Sequence, residues 1–203
     1  MDKPLAQGLS RLGFSLPEGA EGRLLQYARE LLKWNAKVNL TAITDPDQVV
    51  DKHLLDSLAV VPEVGGAKSL LDLGAGAGLP GIPLALALPE LQVTLVDAVA
   101  KKVGFMKHAI ALLGLAGRVR ALHARAEGHP EAEGIPRAEV VISRALVEVE
   151  GFKALATPYV LPGGRIVAML GQTTDPAARR YALPLSQDPR AVAVFHVEQA
   201  QGS

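Results

Sequence analysis

The chain has 203 residues, 49% of them hydrophobic, which is enough for one sizeable core and too apolar for a mainly disordered segment. It contains no cysteine, so disulfides, cysteine-ligated metal clusters and thiolate nucleophiles are excluded. Twenty-one Lys and Arg balance 21 Asp and Glu, so any attraction to a nucleic acid has to come from a local patch. The opening MDKPLAQGLS lacks a charged start followed by an apolar run, and no apolar stretch reaches spanning length, so a cytoplasmic protein with no membrane partner is expected. Residues 20 to 40 place Leu24, Leu25, Ala28, Leu31, Leu32 and Val38 at helical spacing, with Arg23, Arg29, Lys33 and Lys37 between them, which predicts an amphipathic helix. A second helix is expected from Asp45 as N-cap, with Pro46 at the first position and Gln48 at the third, running through VVDKHLLDSLAVV to Pro62.

The glycine pair Gly65-Gly66 then divides an N-terminal helical subdomain, residues 1-65, from a second unit, residues 66-203. In the second unit short β-rich runs alternate with helical segments: SLLDL (69–73), VTLVD (93–97), VRALH (119–123), EVVISR (139–144), RIVAML (165–170) and AVAVFHV (191–197). Such alternation implies parallel pairing through right-handed crossovers, hence a doubly wound α/β sheet.

Directly after the first of these runs, LLDLGAGAGLPG sets Asp72, Gly74, Gly76 and Gly78 at alternate positions before a helix expected to begin near Pro80. Glycine permits positive φ and lets a ligand lie against bare backbone, and the following helix offers free N–H groups, so the loop reads as a cofactor cradle. A tight strand-to-helix turn alone would need only one or two glycines. The stretch also fits the dinucleotide pattern, Gly76-x-Gly78-x-x-Gly81 with Asp97 about twenty residues on, so an NAD(P)-dependent oxidoreductase stays open at this point. Asp97 does not discriminate, because both cofactor types put a ribose near the carboxylate ending the second strand. Asp72 favours S-adenosylmethionine: it suits a cationic amino-acid end and would repel a pyrophosphate. Its other use is a purely local hydrogen bond.

LDLGAGAGLPGIPLALALPE, taken with WNAKVNLTAI (34–43), HLLDSLAV (53–60) and VVISRA (140–145), resembles the RsmG (GidB) family of bacterial small-subunit rRNA methyltransferases, over about residues 20 to 170. The resemblance implies a class I SAM-dependent methyltransferase, a Rossmann-like doubly wound sheet with an N-terminal helical extension. It implies methyl transfer from S-adenosyl-L-methionine to N7 of a guanosine in 16S ribosomal RNA, in the loop near the decoding centre. The partner is then 16S rRNA or the small ribosomal subunit, with no metal, and the chain is expected to be a monomer. Carried over by position, Gly74 and Leu79 line the cofactor loop; Asp97, Ala98 and Val99 hold the ribose and adenine side; Ala126 and Glu127 in ARAE form an adenine-side pair. Arg144 in ISRA ends the fourth strand and faces the methyl donor, as the catalytic candidate and a cofactor-binding residue, its alternative being an ion pair with Glu148 four residues on. A cofactor-binding ribosome assembly factor without turnover is the non-enzymatic alternative.

The end of the fourth strand bears on the reaction. Methyltransferases of exocyclic amines usually carry an Asn- or Asp-Pro-Pro-aromatic run there, whereas this chain has Ser143-Arg144-Ala145-Leu146, and pyrimidine C5 methylation of RNA usually needs a cysteine nucleophile. A ring nitrogen with a free lone pair needs neither, only positioning and desolvation. For the RNA itself, a local basic excess points to Lys101, Lys102 and Arg125. His53 and Asp56, three apart, either face the RNA or brace the N-terminal helices. Two features depart from the family: the fifth strand ends Met169-Leu170-Gly171 without the lysine common before that glycine, and the sequence closes HVEQAQGS without a basic tail.

Overall fold

The computed structural model describes residues 1–13, 15–144 and 148–198; Ala145 and Leu146 of the quoted stretch, and the last residues of HVEQAQGS, lie outside them. The N-terminal part begins with α1 (Asp2–Leu12) and α2 (Ala20–Val38). In α2 the spacing read from the sequence places Leu24, Leu25, Ala28 and Leu31 in the core. Each leucine so buried favours the fold by about 1.5–3 kcal/mol. The sequence reading lacks α1, and the reason is local. Pro4 in its first turn and Gly8 in its middle dilute the apolar pattern, and Gly8 is needed because a Cβ there would lie 2.1 Å from Leu55 Cδ1.

The single helix expected from Asp45 to Pro62 is instead segmented. Asp45 caps as expected, its carboxylate accepting from the Gln48 N–H at 2.8 Å, and α3 (Pro46–Val49) follows. The chain then widens into a π-helical turn over Val50–Leu55, continues as α4 (Asp56–Leu58) and ends as α5 (Val61–Val64). π turns are rare and occur mostly at functional sites. Here the turn carries Asp51 and His53, with Asp56 next to it, and all three are buried.

Seven strands form one sheet: β1 (Ser69–Leu73), β2 (Gln92–Asp97), β3 (Val119–His123), β4 (Ala138–Arg144), β5 (Val160–Leu170), β6 (Arg179–Ala182) and β7 (Pro189–His196), in the order β3-β2-β1-β4-β5-β7-β6. The first five are parallel. The last two correct the expectation of an all-parallel sheet, because β7 runs antiparallel to both β5 and β6. The segment between Leu170 and Pro189 has no helical apolar pattern with which to build a crossover, so the chain returns by turns. β6, RRYA, carries no strand signal in its sequence because it is a short, charged edge strand with little to bury. β5 starts earlier than expected. Its opening VLPGG reads as a breaker, yet Gly164 belongs there because a Cβ would meet the Glu139 carbonyl at 2.5 Å.

The inner strands are buried almost throughout because both faces are covered. On one face, α1, α2 and the π turn share a cluster with α6 (Gly81–Ala87) and α7 (Ala100–Leu112), in which α2 packs on both α6 and α7. The short α8 (Pro130–Glu133) follows β3, and α9 (Val149–Ala156) covers the other face through Phe152 and Ala156. The strand order reverses between β1 and β4. In open α/β sheets ligands bind beyond the carboxyl ends at such a switch point.

Candidate active site

The glycine loop leaves β1 at that switch point. Gly74, Gly76 and Gly78 all have positive φ (70°, 60° and 90°), the left-handed region that side chains avoid. The turn is held by backbone bonds from Ala75 N–H to Val96 O at 2.9 Å and from Gly78 N–H to Ala75 O at 2.7 Å. Two carboxylates tie it further. Asp97, ending β2, accepts from Gly76 N–H at 2.9 Å and from Val99 N–H at 2.8 Å, so it fixes the loop and its own following turn together. Asp72 is 0% exposed and accepts from Gly81 N–H at 2.9 Å, the local bond weighed in the sequence reading. Its other oxygen, Oδ1, is buried without a hydrogen-bond partner among the described residues. Burial pushes the Asp72 carboxyl up to about 7, against the pull of the Gly81 N–H and of Arg144, with Asp97 adding to the rise.

From below, α2 contributes a contact that no motif announces. Tyr27, fully buried, donates its hydroxyl to the Ala77 carbonyl of the loop at 2.7 Å. The N-terminal helices therefore shape the cradle. The structural signal was available only as a tyrosine within an otherwise apolar stripe.

Beyond β1, β2 and β3 opens a cavity of about 350 Å³. Gly74, Asp97, Ala98, Lys102, Arg125 and Ala126 line it, as does Leu155 of α9, which the sequence reading lacks. Other predicted residues lie elsewhere. Leu79 is buried in the core, with its N–H bonded to Ala75 O. Val99 is 39% exposed, Lys101 is exposed on α7, and Gly76 and Gly78 lie within the loop. Glu127 is exposed, and its N–H donates to Glu133 at 3.0 Å and to the Tyr159 hydroxyl at 3.1 Å, while that hydroxyl donates to Glu133. Lys102 approaches Asp97 at 4.0 Å, so Lys102 and Arg125 stand at this cavity and not beside Arg144.

Arg144 ends β4 and faces the N-terminal helices. Its guanidinium donates to the Lys52 carbonyl at 3.0 Å and to His53 Nδ1 at 3.2 Å, and lies 3.7 Å from Asp56. The carboxylate partner is thus Asp56 across the fold, not Glu148 nearby in sequence. WNAKVNLTAI explains how this is arranged. Asn35 folds back the end of α2 by accepting from Leu40 and Thr41 N–H (2.7 and 2.9 Å) and donating to Thr41 O at 2.9 Å. Thr41 Oγ1 then meets His53 Nε2 at 2.8 Å, and His53 meets Arg144. Burial, with the Arg144 charge adding to it, pushes the His53 imidazole down to about 4. Burial raises the Asp56 carboxyl, against the Tyr181 hydroxyl, which donates to it at 2.8 Å, and against Arg144 and Arg190. His53 and Asp56 therefore brace the arginine.

A second cavity, about 400 Å³, opens beside this cluster between Lys52, Arg144, Leu170 and Arg190. Leu170 occupies the place where the family's lysine is missing, and Arg190 of β7 brings a cation to the same opening. Another hollow of about 280 Å³, lined by Gln92, Arg118 and Arg137, lies at the amino ends of the strands, the wrong end for a ligand of this fold. Arg118 there is engaged by carbonyls of Ala85, Leu88 and Leu91.

Residues 21–199 match the family model described as rRNA small subunit methyltransferase G. A ribosomal RNA small subunit methyltransferase G of Myxococcus xanthus is 58% identical over 96% of each chain, and one from Anaeromyxobacter dehalogenans is 48% identical over 93% of this chain and 94% of its own. Among solved structures, an RNA methyltransferase from Salinibacter ruber in complex with S-adenosyl-L-homocysteine superposes with a TM-score of 0.55 at 16% identity, covering 72% of this chain and 93% of its own. TrmN from Thermus thermophilus superposes with a TM-score of 0.53 at 19% identity, covering 70% and 48%. At these identities the structural likeness carries the class I methyltransferase fold.

Proposed function

The chain belongs to the rRNA small subunit methyltransferase G family, and from that premise we propose that it transfers a methyl group from S-adenosylmethionine to N7 of a guanosine in 16S rRNA. The observation that carries the reading is the junction at the switch point, where the glycine loop and Asp97 border one cavity and Arg144 borders the next. The residues fit the cofactor. Gly74 leaves bare backbone at the first cavity while Gly76 and Gly78 supply the loop's other left-handed turns, Asp97 offers a carboxylate at the ribose position, and the orphaned Asp72 Oδ1 offers an acceptor for an ammonium group. Gly74, Asp97, Ala98 and Ala126 would hold it directly, with Asp72, Gly76 and Gly78 shaping the loop, Leu79 packing behind it in the core, and Val99 and Glu127 at the margins. When bound, S-adenosylmethionine supplies an electrophilic methyl group.

The chain's own task is to position the base. Guanine N7 carries its lone pair on the open edge of the base and loses no proton on methylation, so no side chain has to accept one. His53, held neutral well above its lowered pKa, serves to orient Arg144. The Arg144 fork is placed to donate to guanine O6 or to a phosphate. Among the described residues no helix is long and apolar enough to cross a membrane, and no group of three His, Asp or Glu is arranged to hold a metal. A protein acting on rRNA of the small subunit would work in the cytoplasm. The oxidoreductase alternative rests only on the overlapping glycine pattern.

The test is transfer of tritium from methyl-labelled S-adenosylmethionine to rRNA of both subunits, followed by nucleoside separation. Label in N7-methylguanosine from the small subunit alone is expected. Label in another nucleoside or in large-subunit RNA, or stabilisation of the protein by NAD but not by S-adenosylhomocysteine, would contradict the reading.

A further inference from the structure

The cavity beside Arg144 does not end at Arg190. That side chain also lines an adjoining hollow of about 550 Å³, bordered by Gln172, Thr173, Arg180 and Tyr181, so the two openings share one arginine. The continuity follows from the sheet. β5 ends at Leu170, which pairs with Ala191 on antiparallel β7, so the start of β7 comes to the carboxyl end of β5, and β6 brings Tyr181 opposite Arg190. Along this path stand Lys52, Arg144, Arg190 and Arg180, with Asp56 as the one carboxylate among the lining residues and none in the second hollow.

Asp56 is shielded, its side chain 4% exposed, and already accepts from Tyr181. Lys52 pairs with Asp188 at 3.0 Å, an exposed contact of the kind that yields readily to another anion. Arg180 makes no ion pair among the described residues; its guanidinium reaches only the Asp175 carbonyl, at 3.4 Å. The result is a strip of positive charge on a protein of zero net charge. Guanidinium forks match phosphate oxygens, and neutral donors such as Gln172 and Thr173 suit phosphate and sugar contacts.

We propose that the groove from Arg144 across Arg190 to Arg180 seats the phosphate backbone of the RNA strand flanking the methylated nucleotide. The proposal rests on the rRNA reading above and adds where the strand runs, toward β6 and β7 and away from Lys101, Lys102 and Arg125. Arg190 then supplies from β7 the cation that Leu170 does not supply from β5. Each contact is electrostatic and independent of sequence, so it sets affinity and register and leaves the choice of base to the region around Arg144.

The experiment measures binding of an unmodified 16S rRNA transcript to the full chain by fluorescence anisotropy at several salt concentrations, with methyl transfer and cofactor affinity followed in parallel. Arg180→Ala, Arg190→Ala and their combination are compared with Arg137→Ala, which removes a cation at the opposite ends of the strands. For the double variant the slope of log affinity against log salt should become shallower by about 1.4, the value for two lost single-strand phosphate contacts. Its KM for RNA should rise on the order of tenfold with cofactor affinity unchanged, and Arg180→Ala alone should keep the parent's melting temperature, whereas Arg190→Ala also removes a cation 3.9 Å from the buried Asp56 carboxylate. The lysine versions should retain the slope, and Arg137→Ala should match the parent. Arg180→Ala breaks no ion pair, so it keeps the test valid if Arg190→Ala loosens Asp56. Parent-like binding by the double variant would overturn the groove while leaving the methyltransferase reading intact. A loss seen only with assembled subunits would assign the face to a ribosomal protein and also overturn it. Absence of methyl transfer to small-subunit RNA by the parent would overturn the functional reading and the groove together.

Discussion

Beyond β1, β2 and β3 the site is built mainly from backbone: glycines at positive φ, N–H groups tied to Asp97 and Asp72, and alanines along the wall. Beyond β4, β5 and β7 it is built from side-chain charge, with Lys52, Asp56, Arg144 and Arg190 converging from distant parts of the chain. The first region has a fixed shape whose geometry depends on what is absent from the side chains. The second has a pattern of charge whose geometry depends on braces, namely Asn35, Thr41 and His53 behind Arg144. Shape should therefore control cofactor affinity, and charge should control turnover and RNA affinity, with little crossover.

The largest separation is expected from Gly74→Val. A β-branched residue at φ 70° is strained by roughly 1–3 kcal/mol and puts methyl groups into the cavity that Gly74 lines. Isothermal titration should find no measurable cofactor binding to a protein that still unfolds cooperatively; parent-like affinity would remove Gly74 from the cradle. On the other side, Arg144→Ala should lower kcat by about a hundredfold through misplacement of the base, while cofactor affinity stays unchanged. Arg144→Lys should recover only part of the rate, since a point charge does not reproduce the fork. Equal activity of all three proteins would reduce Arg144 to a partner of Asp56.

A smaller effect tests whether Asp72 acts by shape or by charge. Its carboxyl is protonated up to about pH 7 in the folded chain but ionised above about 4 when unfolded, so its contribution to stability is full below about pH 4 and is lost as pH rises through 7. Asp72→Asn keeps an acceptor for Gly81 N–H and removes the charge. If Asp72 faces the cofactor's ammonium, the variant should bind S-adenosylmethionine about tenfold more weakly at pH 8 and like the parent at pH 5.5, where both are neutral. It should also lose the fall in stability between about pH 4 and about pH 7. Equal affinities at both pH values would leave Asp72 only as the brace of Gly81. The smallest effect belongs to Tyr27→Phe, which orphans the Ala77 carbonyl and should cost about 1 kcal/mol of folding stability, read by denaturant unfolding; unchanged stability would remove the bond as a brace of the loop.

The contrast between the two regions also decides what was legible in the sequence. The glycine loop, its strand and the helix after it are contiguous, so Asp72 to Gly81 could be read as one device, and the helix starts within a residue of where Pro80 suggested. Asp97 was found because it ends the next strand. Arg190 was invisible because the pairing that carries it to Arg144 is antiparallel and follows a segment with no periodic signal. Asp56 lies in the motif HLLDSLAV and Lys52 directly precedes it, but their direction depends on a π turn that shifts the helical register, and no spacing rule predicts that turn. Lys101, Lys102 and Arg125 stand out as a basic excess along the chain, and the fold separates them: Lys102 and Arg125 line the first cavity while Lys101 is exposed on α7.

Methyl transfer to a ring nitrogen that loses no proton needs positioning and no proton acceptor. The most direct test is the single-turnover methylation rate of 16S rRNA, at saturating cofactor and RNA, between about pH 6 and about pH 8.5. His53, with its pKa pushed down to about 4, does not change state in that window, and saturation removes any effect of Asp72 on binding. The predicted result is a rate that is flat across the range. A tenfold rise through a single ionisation, abolished by substituting His53, would mean that a proton leaves during the reaction and that N7 is not the atom methylated.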